Sequence, residues 1–201
     1  STDGGETWEP MQVIMDKNEW GGEPEYRNGV GDPSVLYDPN TNTIWVAALW
    51  MHGFGRDQAS WWASQPGMKP SETGQFLMVK STDDGKTWSD PINITEQIKD
   101  PDWQLLLQGP GKGITLEDGT LVFPAQFKAD IGEKAIDGGP FTPHSTIIHS
   151  KNGGETWETV LEGINTRTFT HSAENPEWVY ASGRNADGRL FFVASGDFGE
   201  S

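Results

Sequence analysis

Apolar residues fall in short runs along this chain, and turn residues punctuate them. One set of runs covers Ser34 to Tyr37, Thr43 to Trp50, Gln75 to Lys80 and Thr87 to Ile94. A second covers Gly113 to Leu116, Thr120 to Phe127, Thr146 to His149 and Glu155 to Leu161. Each run has the length of a strand rather than a helix, and β-branched and aromatic residues fill most of them. Asp38-Pro39-Asn40, Asp83-Asp84-Gly85, Asp118-Gly119 and Gly153-Gly154 supply the turns between them. No long amphipathic helix is expected. The pattern predicts an all-β chain built from four-stranded units. Segments 50–75 and 127–145 are its long loops, and loops on a rigid scaffold are where binding usually resides.

A motif recurs on this rhythm. Ser1-Thr2-Asp3-Gly4-Gly5-Glu6-Thr7-Trp8 returns as Ser81-Thr82-Asp83-Asp84-Gly85-Lys86-Thr87-Trp88. A third copy runs from Ser150 to Trp157 with Asn152 in place of Asp, and a fourth begins at Ser195-Gly196-Asp197. Repetition at such intervals is the mark of a repeat architecture. Each copy reads as a hairpin turn. Ser and Asp side chains bond nearby backbone N–H groups, Gly takes positive φ, and Trp covers the turn. The motif is similar to the Asp box of sialidases and several other β-propeller proteins. There it lies on the outer rim, so Asp3, Asp83 and Asp197 are expected to be structural rather than catalytic acids.

A second repeat is embedded in the first. Asn28-Gly29-Val30-Gly31-Asp32-Pro33-Ser34-Val35-Leu36-Tyr37-Asp38 aligns without gaps to Gln108-Gly109-Pro110-Gly111-Lys112-Gly113-Ile114-Thr115-Leu116-Glu117-Asp118. Both copies enter the first strand of a unit, which in propellers lines the central channel. Asp32 and Lys112 are therefore equivalent positions near the channel mouth. Carrying the register onward matches Asn175 to Asp118 and puts Phe169 at the place of Asp32.

Charge narrows the range of partners. The formal net charge is -16, which argues against nucleic acid and anionic membrane surfaces. An anionic ligand would need a local cluster of Arg. The chain has no cysteine, so disulfides and thiolate metal sites are ruled out. No pair among His52, His144, His149 and His171 has zinc-ligand spacing on a helix, so no metal site is expected. Asp38 to Asn42 lacks the Gly and late Glu of a calcium loop. Gly109 to Gly113 lacks the Lys-Ser/Thr pair and the helix of a phosphate loop. No cofactor is implied.

The stretch Asn28 to Leu36, followed by Asn42-Thr43-Ile44-Trp45-Val46, resembles bacterial exo-α-sialidases. Gln108 to Ile114 with Gly119-Thr120-Leu121-Val122-Phe123-Pro124 resembles the next blade of the same enzymes. Met51-His52-Gly53, Trp61-Trp62 and Pro66-Gly67-Met68 are similar to loops of gut Bacteroidetes sialidases. The similarity covers residues 1 to about 160. It implies a β-propeller of the six-bladed sialidase type, here an incomplete set of about three to four blades. Residues 1–201 would form one partial propeller domain, with blades near 1–24, 25–95, 105–162 and 165–201.

The resemblance also implies an activity. Such enzymes release terminal sialic acid with retention of configuration. A Tyr activated by a Glu attacks the anomeric carbon, an Asp serves as acid and base, and three Arg clamp the carboxylate. On this resemblance the first Arg and the acid/base Asp would precede Ser1, and the third Arg and the Tyr would follow Ser201. The 201 residues alone are expected to be inactive. The partners implied are sialylated glycans and the remaining blades of a parent protein, in a bacterial periplasm or outside the cell.

Two substrate-binding candidates carry over. Asp32 matches the polar residue beside the 4-hydroxyl pocket; its alternative is to cap the turn before Pro33. Arg184, after Val179-Tyr180-Ala181-Ser182-Gly183, falls where the second Arg of the clamp ends its strand; its alternative is a solvated surface role. No catalytic residue is assigned. The expected Glu would fall at Phe169, and neither Arg167, Thr168, Thr170 nor His171 is a carboxylate. Glu174, five residues on, points to the opposite face of a strand. Trp61-Trp62 could stack on a sugar or anchor its loop. A glycan-binding propeller without catalysis, and an Asp-box hydrolase of plant polysaccharide, are the competing readings.

Overall fold

The computed structural model describes residues 1–20, 22, 24–52, 64–128, 144–159, 165–171, 174–175, 178–184 and 190–196. Among these, three sheets follow one another along the chain, antiparallel throughout except for one short parallel pairing in the first. The first contains β1 (Asn28–Asp38), β2 (Thr43–His52), β3 (Gln75–Ser81) and β4 (Ile92–Asn93). A helical turn at Thr95–Ile98 leads to the second: β5 (Leu105–Gln108), β7 (Ile114–Thr115), β8 (Leu121–Lys128), β9 (His144–Ser150) and β10 (Glu158–Thr159), while the intervening β6 (Gly111–Lys112) crosses back to the edge of the first sheet. The third holds β11 (Asn165–His171), β12 (Val179–Arg184) and β13 (Leu190–Ser195). The strand order is β4-β3-β2-β1-β6 in the first sheet, and β10-β9-β8 in the second, where both β5 and β7 pair β8.

The core lies between the first two sheets. Trp45 and Ala47 alternate on β2, Phe76 and Met78 on β3, Leu121, Phe123, Ala125 and Phe127 on β8. Period-two spacing sends these residues to one face, and removing them from water drives the sheets together. Trp157, from the third copy of the repeated motif, packs into the same cluster.

The copies that begin at Ser1, Ser81 and Ser150 close their turns in the same way; Asp197 of the fourth lies outside the described residues. The Asp83 carboxylate accepts from the Thr87 backbone N–H at 2.8 Å, the Thr87 hydroxyl at 2.6 Å and the Ser81 hydroxyl at 2.8 Å. Asp3 accepts from Thr7 and Ser1 in the same pattern. Asn152 keeps the geometry with an amide: Oδ1 accepts from the Thr156 N–H at 3.0 Å, and Nδ2 donates to the Thr156 hydroxyl at 2.8 Å. These side chains are occupied by the backbone of their own turn, which accounts for the motif as a structural device.

The expected strands of the first sheet appear, but the outer one is shorter than the expected 87–94. Only Ile92 and Asn93 pair with β3. Ser89 donates its N–H to the Lys80 carbonyl at 2.9 Å, and then Pro91 removes a donor and interrupts the ladder. In the second sheet only Glu158 and Thr159 of the expected 155–161 run pair with β9; residues 160–164 lie outside the described set. The strand Leu105–Gln108, absent from the expected elements, is fully buried against β8.

Candidate functional site

A bulge in β1 builds the site. Gly31 lies opposite Leu49 and Ser34 opposite Ala47. Asp32 and Pro33 therefore face the single residue Ala48, and the strand bends there. Asp32 has φ 54, the left-handed region that Asp and Asn tolerate better than other side chains. Its side chain is exposed while Ser34 beside it is buried. The bulge thus turns a carboxylate outward at the innermost strand of the first sheet.

The second sheet reaches across to hold that bulge. Gln108, fully buried at the end of β5, donates its Nε2 N–H to the Asp32 carbonyl and to the Gly31 carbonyl. Beyond it, Gly111 and Lys112 pair in parallel with Ser34 and Val35 as the edge strand of the first sheet. The Gly113 N–H then donates to the Val35 carbonyl at 2.9 Å. Gln108 faces Ala125 and Ile114 faces Val122, so residues 109–113 stand against Phe123 and Pro124 alone. Thus the two aligned copies fold differently. The first is one bulged strand; the second is split into β5, β6 and β7, because Gly109-Pro110-Gly111 breaks it. Lys112 is exposed beside the bulge.

The third sheet repeats the bulge. Thr166 lies opposite Gly183 and Thr168 opposite Ser182, leaving Arg167 without a facing residue. The gap-free register puts Phe169 at this place, but Phe169 pairs with Ala181 two residues further on. The difference comes from the turn. Pairing stops at His171 and resumes at Val179, a longer connection than the one from Asp38 to Thr43. Arg184 closes β12, opposite Asn165 on one side and Leu190 on the other. Asp32 and Arg184 therefore sit on different sheets. Glu174 lies in an exposed bend outside β11. Trp61 and Trp62 lie outside the described residues.

A cleft of 740 Å³ opens at the start of β1, lined by Asp16, Lys17, Glu19, Glu25, Tyr26 and Asn28 among others. Three carboxylates against one ammonium disfavour an anionic ligand there.

The profile of the BNR repeat-like domain matches residues 1–166. The chain belongs to the BNR repeat-like domain family. This BNR repeat-like chain is 56% identical over 158 residues to a sialidase of Bacteroides fragilis, an alignment covering 79% of the chain and 27% of that protein. Among solved structures, the Hadza microbial sialidase Hz136 matches with a TM-score of 0.83 and 45% identity, over 100% of the chain and 38% of that structure. Trypanosoma rangeli sialidase shares the fold at a TM-score of 0.68 and 18% identity, over 100% of the chain and 31% of that structure. The chain spans well under half the length of these relatives. Its three sheets are an incomplete set of the blades of a sialidase-type propeller.

The role of Gln108 is the residue-level feature that motif reading leaves out. One signal for it was present. Gln108 aligns with Asn28, and Asn28 also uses its amide to latch a carbonyl of the preceding segment, that of Asn18 at 2.5 Å. At these two repeat positions a carboxamide ties its unit to the segment before it.

Proposed function

We propose that this chain is a segment of an exo-α-sialidase, a retaining glycoside hydrolase that removes terminal sialic acid from glycans outside the cytoplasm. The 56% identity over 158 residues to the Bacteroides fragilis sialidase carries this reading. Asp32 and Arg184 are its substrate-binding residues. The Asp32 carboxylate, turned out by the bulge, accepts from a sugar hydroxyl. The Arg184 guanidinium meets the sugar carboxylate, since its planar fork pairs two oxygens at once and keeps its charge. The nucleophile and the acid/base come from residues outside these 201, so the segment alone turns nothing over.

The test is release of sialic acid from sialyllactose by the full-length polypeptide and by the 201-residue chain, with the first-formed anomer read by NMR. The α-anomer from the full-length protein and no release from the segment are expected. An initial β-anomer would overturn retention; robust release by the segment would overturn its inactivity.

A second reading, a glycan-binding propeller without catalysis, draws on one observation. Neither Arg167 at the third bulge nor Phe169 beyond it supplies a carboxylate. Binding of sialoglycans by the full-length protein without any hydrolysis would select it.

A further inference from the structure

We infer that Gln108 is a positioning residue for Asp32, acting across the junction of two sheets. The inference rests on the assignment of Asp32 to substrate. Asp32 is held in a conformation that costs energy twice over. Its φ of 54 belongs to the left-handed region, and it precedes Pro33, which restricts the residue before it. Such a conformation persists only where the surroundings over-determine it. Within its own sheet the pairing partner is lost at the bulge, because Ala48 alone faces Asp32 and Pro33.

The missing restraint comes from the neighbouring sheet. The buried Gln108 amide donates to the carbonyls of both Gly31 and Asp32, the two residues that enter the bulge. β6 pairs with β1 immediately after it, at Ser34 and Val35. The bulge is thus fixed on both flanks by the second repeat, through Gln108 of β5 and through β6, and the carboxylate direction depends on a residue that acts on the backbone rather than on the sugar. Gln108 sits on β5 with its backbone locked to Ala125 of β8, so the latch is anchored in a rigid element.

Gln108→Glu is nearly isosteric, removes the donor and sets a carboxylate against two carbonyls. The experiment uses the full-length polypeptide with Asp32→Ala, Gln108→Glu and the double variant, each checked for an unchanged far-UV spectrum. KM and kcat are measured on sialyllactose, and hydrogen exchange is followed in the peptide spanning residues 28–38. Both single variants are expected to raise KM on the order of tenfold with kcat within about twofold, and the double variant to be no worse than the weaker single one. Gln108→Glu alone should speed exchange in residues 28–38.

A double variant whose KM is the product of the two single effects would overturn the inference, because Gln108 would then act independently of Asp32. So would an unchanged KM for Gln108→Glu beside a raised one for Asp32→Ala. If Asp32→Ala leaves KM unchanged, the substrate assignment fails and the exchange data judge the latch alone. Faster exchange in Gln108→Glu then upholds its hold on the bulge, and unchanged exchange ends it. Should the polypeptide prove inactive, the KM of this test is replaced by the Kd for sialyllactose.

Discussion

The indole of Trp157 stands edge-on to that of Trp45, with centroids 6.0 Å apart and planes at 78°. One belongs to the second sheet's repeated motif and the other to β2 of the first, so a rim turn is bolted to its neighbour. Trp157 is 4% exposed, whereas Trp8, in the first copy of the same motif, is 79% exposed. The two octets differ only at Thr2/Lys151 and Asp3/Asn152 and close the same turn; what buries one indole and not the other is the neighbouring sheet. Trp45→Ala should lower stability by about 3–5 kcal/mol, read as a fall in the denaturant midpoint. Trp8→Ala should leave that midpoint unchanged.

Gly154 adds an independent check of this contact. Its φ is 86, and a Cβ placed there would lie 2.4 Å from the Trp45 ring. Gly154→Ala should cost about 1–3 kcal/mol through strain and overpacking. Combining it with Trp45→Ala relieves the clash, so the double variant should be less destabilised than the two effects added.

The motif carboxylates make the fold sensitive to acid. Hydrogen bonds, led by that from the Thr87 hydroxyl, pull Asp83 from 3.8 down to about 2. A depressed carboxylate contributes stability above its unfolded value and loses it as pH falls through the folded one. The contribution should therefore fade between about pH 4 and 2. Asp83→Asn, which imitates the third copy, should flatten the acid limb of a stability–pH curve. Replacing Asn152 with Asp should steepen it.

Lys99 is 4% exposed, and its ammonium donates to the carbonyls of Gly67, Asp100 and Trp103 at 2.8, 3.0 and 2.5 Å. It ties segment 64–74 to the connection between the first two sheets. Lys99→Met keeps the stem and strands three acceptors, which should cost about 2–4 kcal/mol. Thermal denaturation measures it, and proteolysis should find the 64–74 segment first.

At Asp32 the backbone and the side chain can be separated. Asp32→Gly accommodates a φ of 54 without strain, so its melting temperature should match or exceed that of the native chain. Asp32→Val should lose about 1–3 kcal/mol. Equal melting temperatures for the two variants would contradict the left-handed assignment.

Much of the fold was legible in the residues, because runs such as Thr43 to Trp50 and Gln75 to Lys80 are long, apolar and closed by turn dipeptides. The repeated motif gave away the blades, since Ser, Asp, Gly and Thr at fixed offsets satisfy a turn from within. What a gap-free alignment could not show was how Gln108 to Asp118 would break. Identical spacing hid one residue difference that matters: Pro110 and Gly111 stand where Val30 and Gly31 do, and the strand splits. The register carried to Phe169 falls two residues past the bulge at Arg167 for a related reason, as counting back from Asn175 assumes turns of equal length. Asp32 was legible as a position, but its conformation and its restraint by Gln108 are tertiary facts with no local signature.

The short parallel pairing of Gly111 and Lys112 with β1 has a mechanical consequence. Where propeller sheets meet only through side chains, each can tilt or peel away by itself. Here main-chain bonds rivet two of them together, so heat or force should bring down the first pair as one unit, in a single cooperative step.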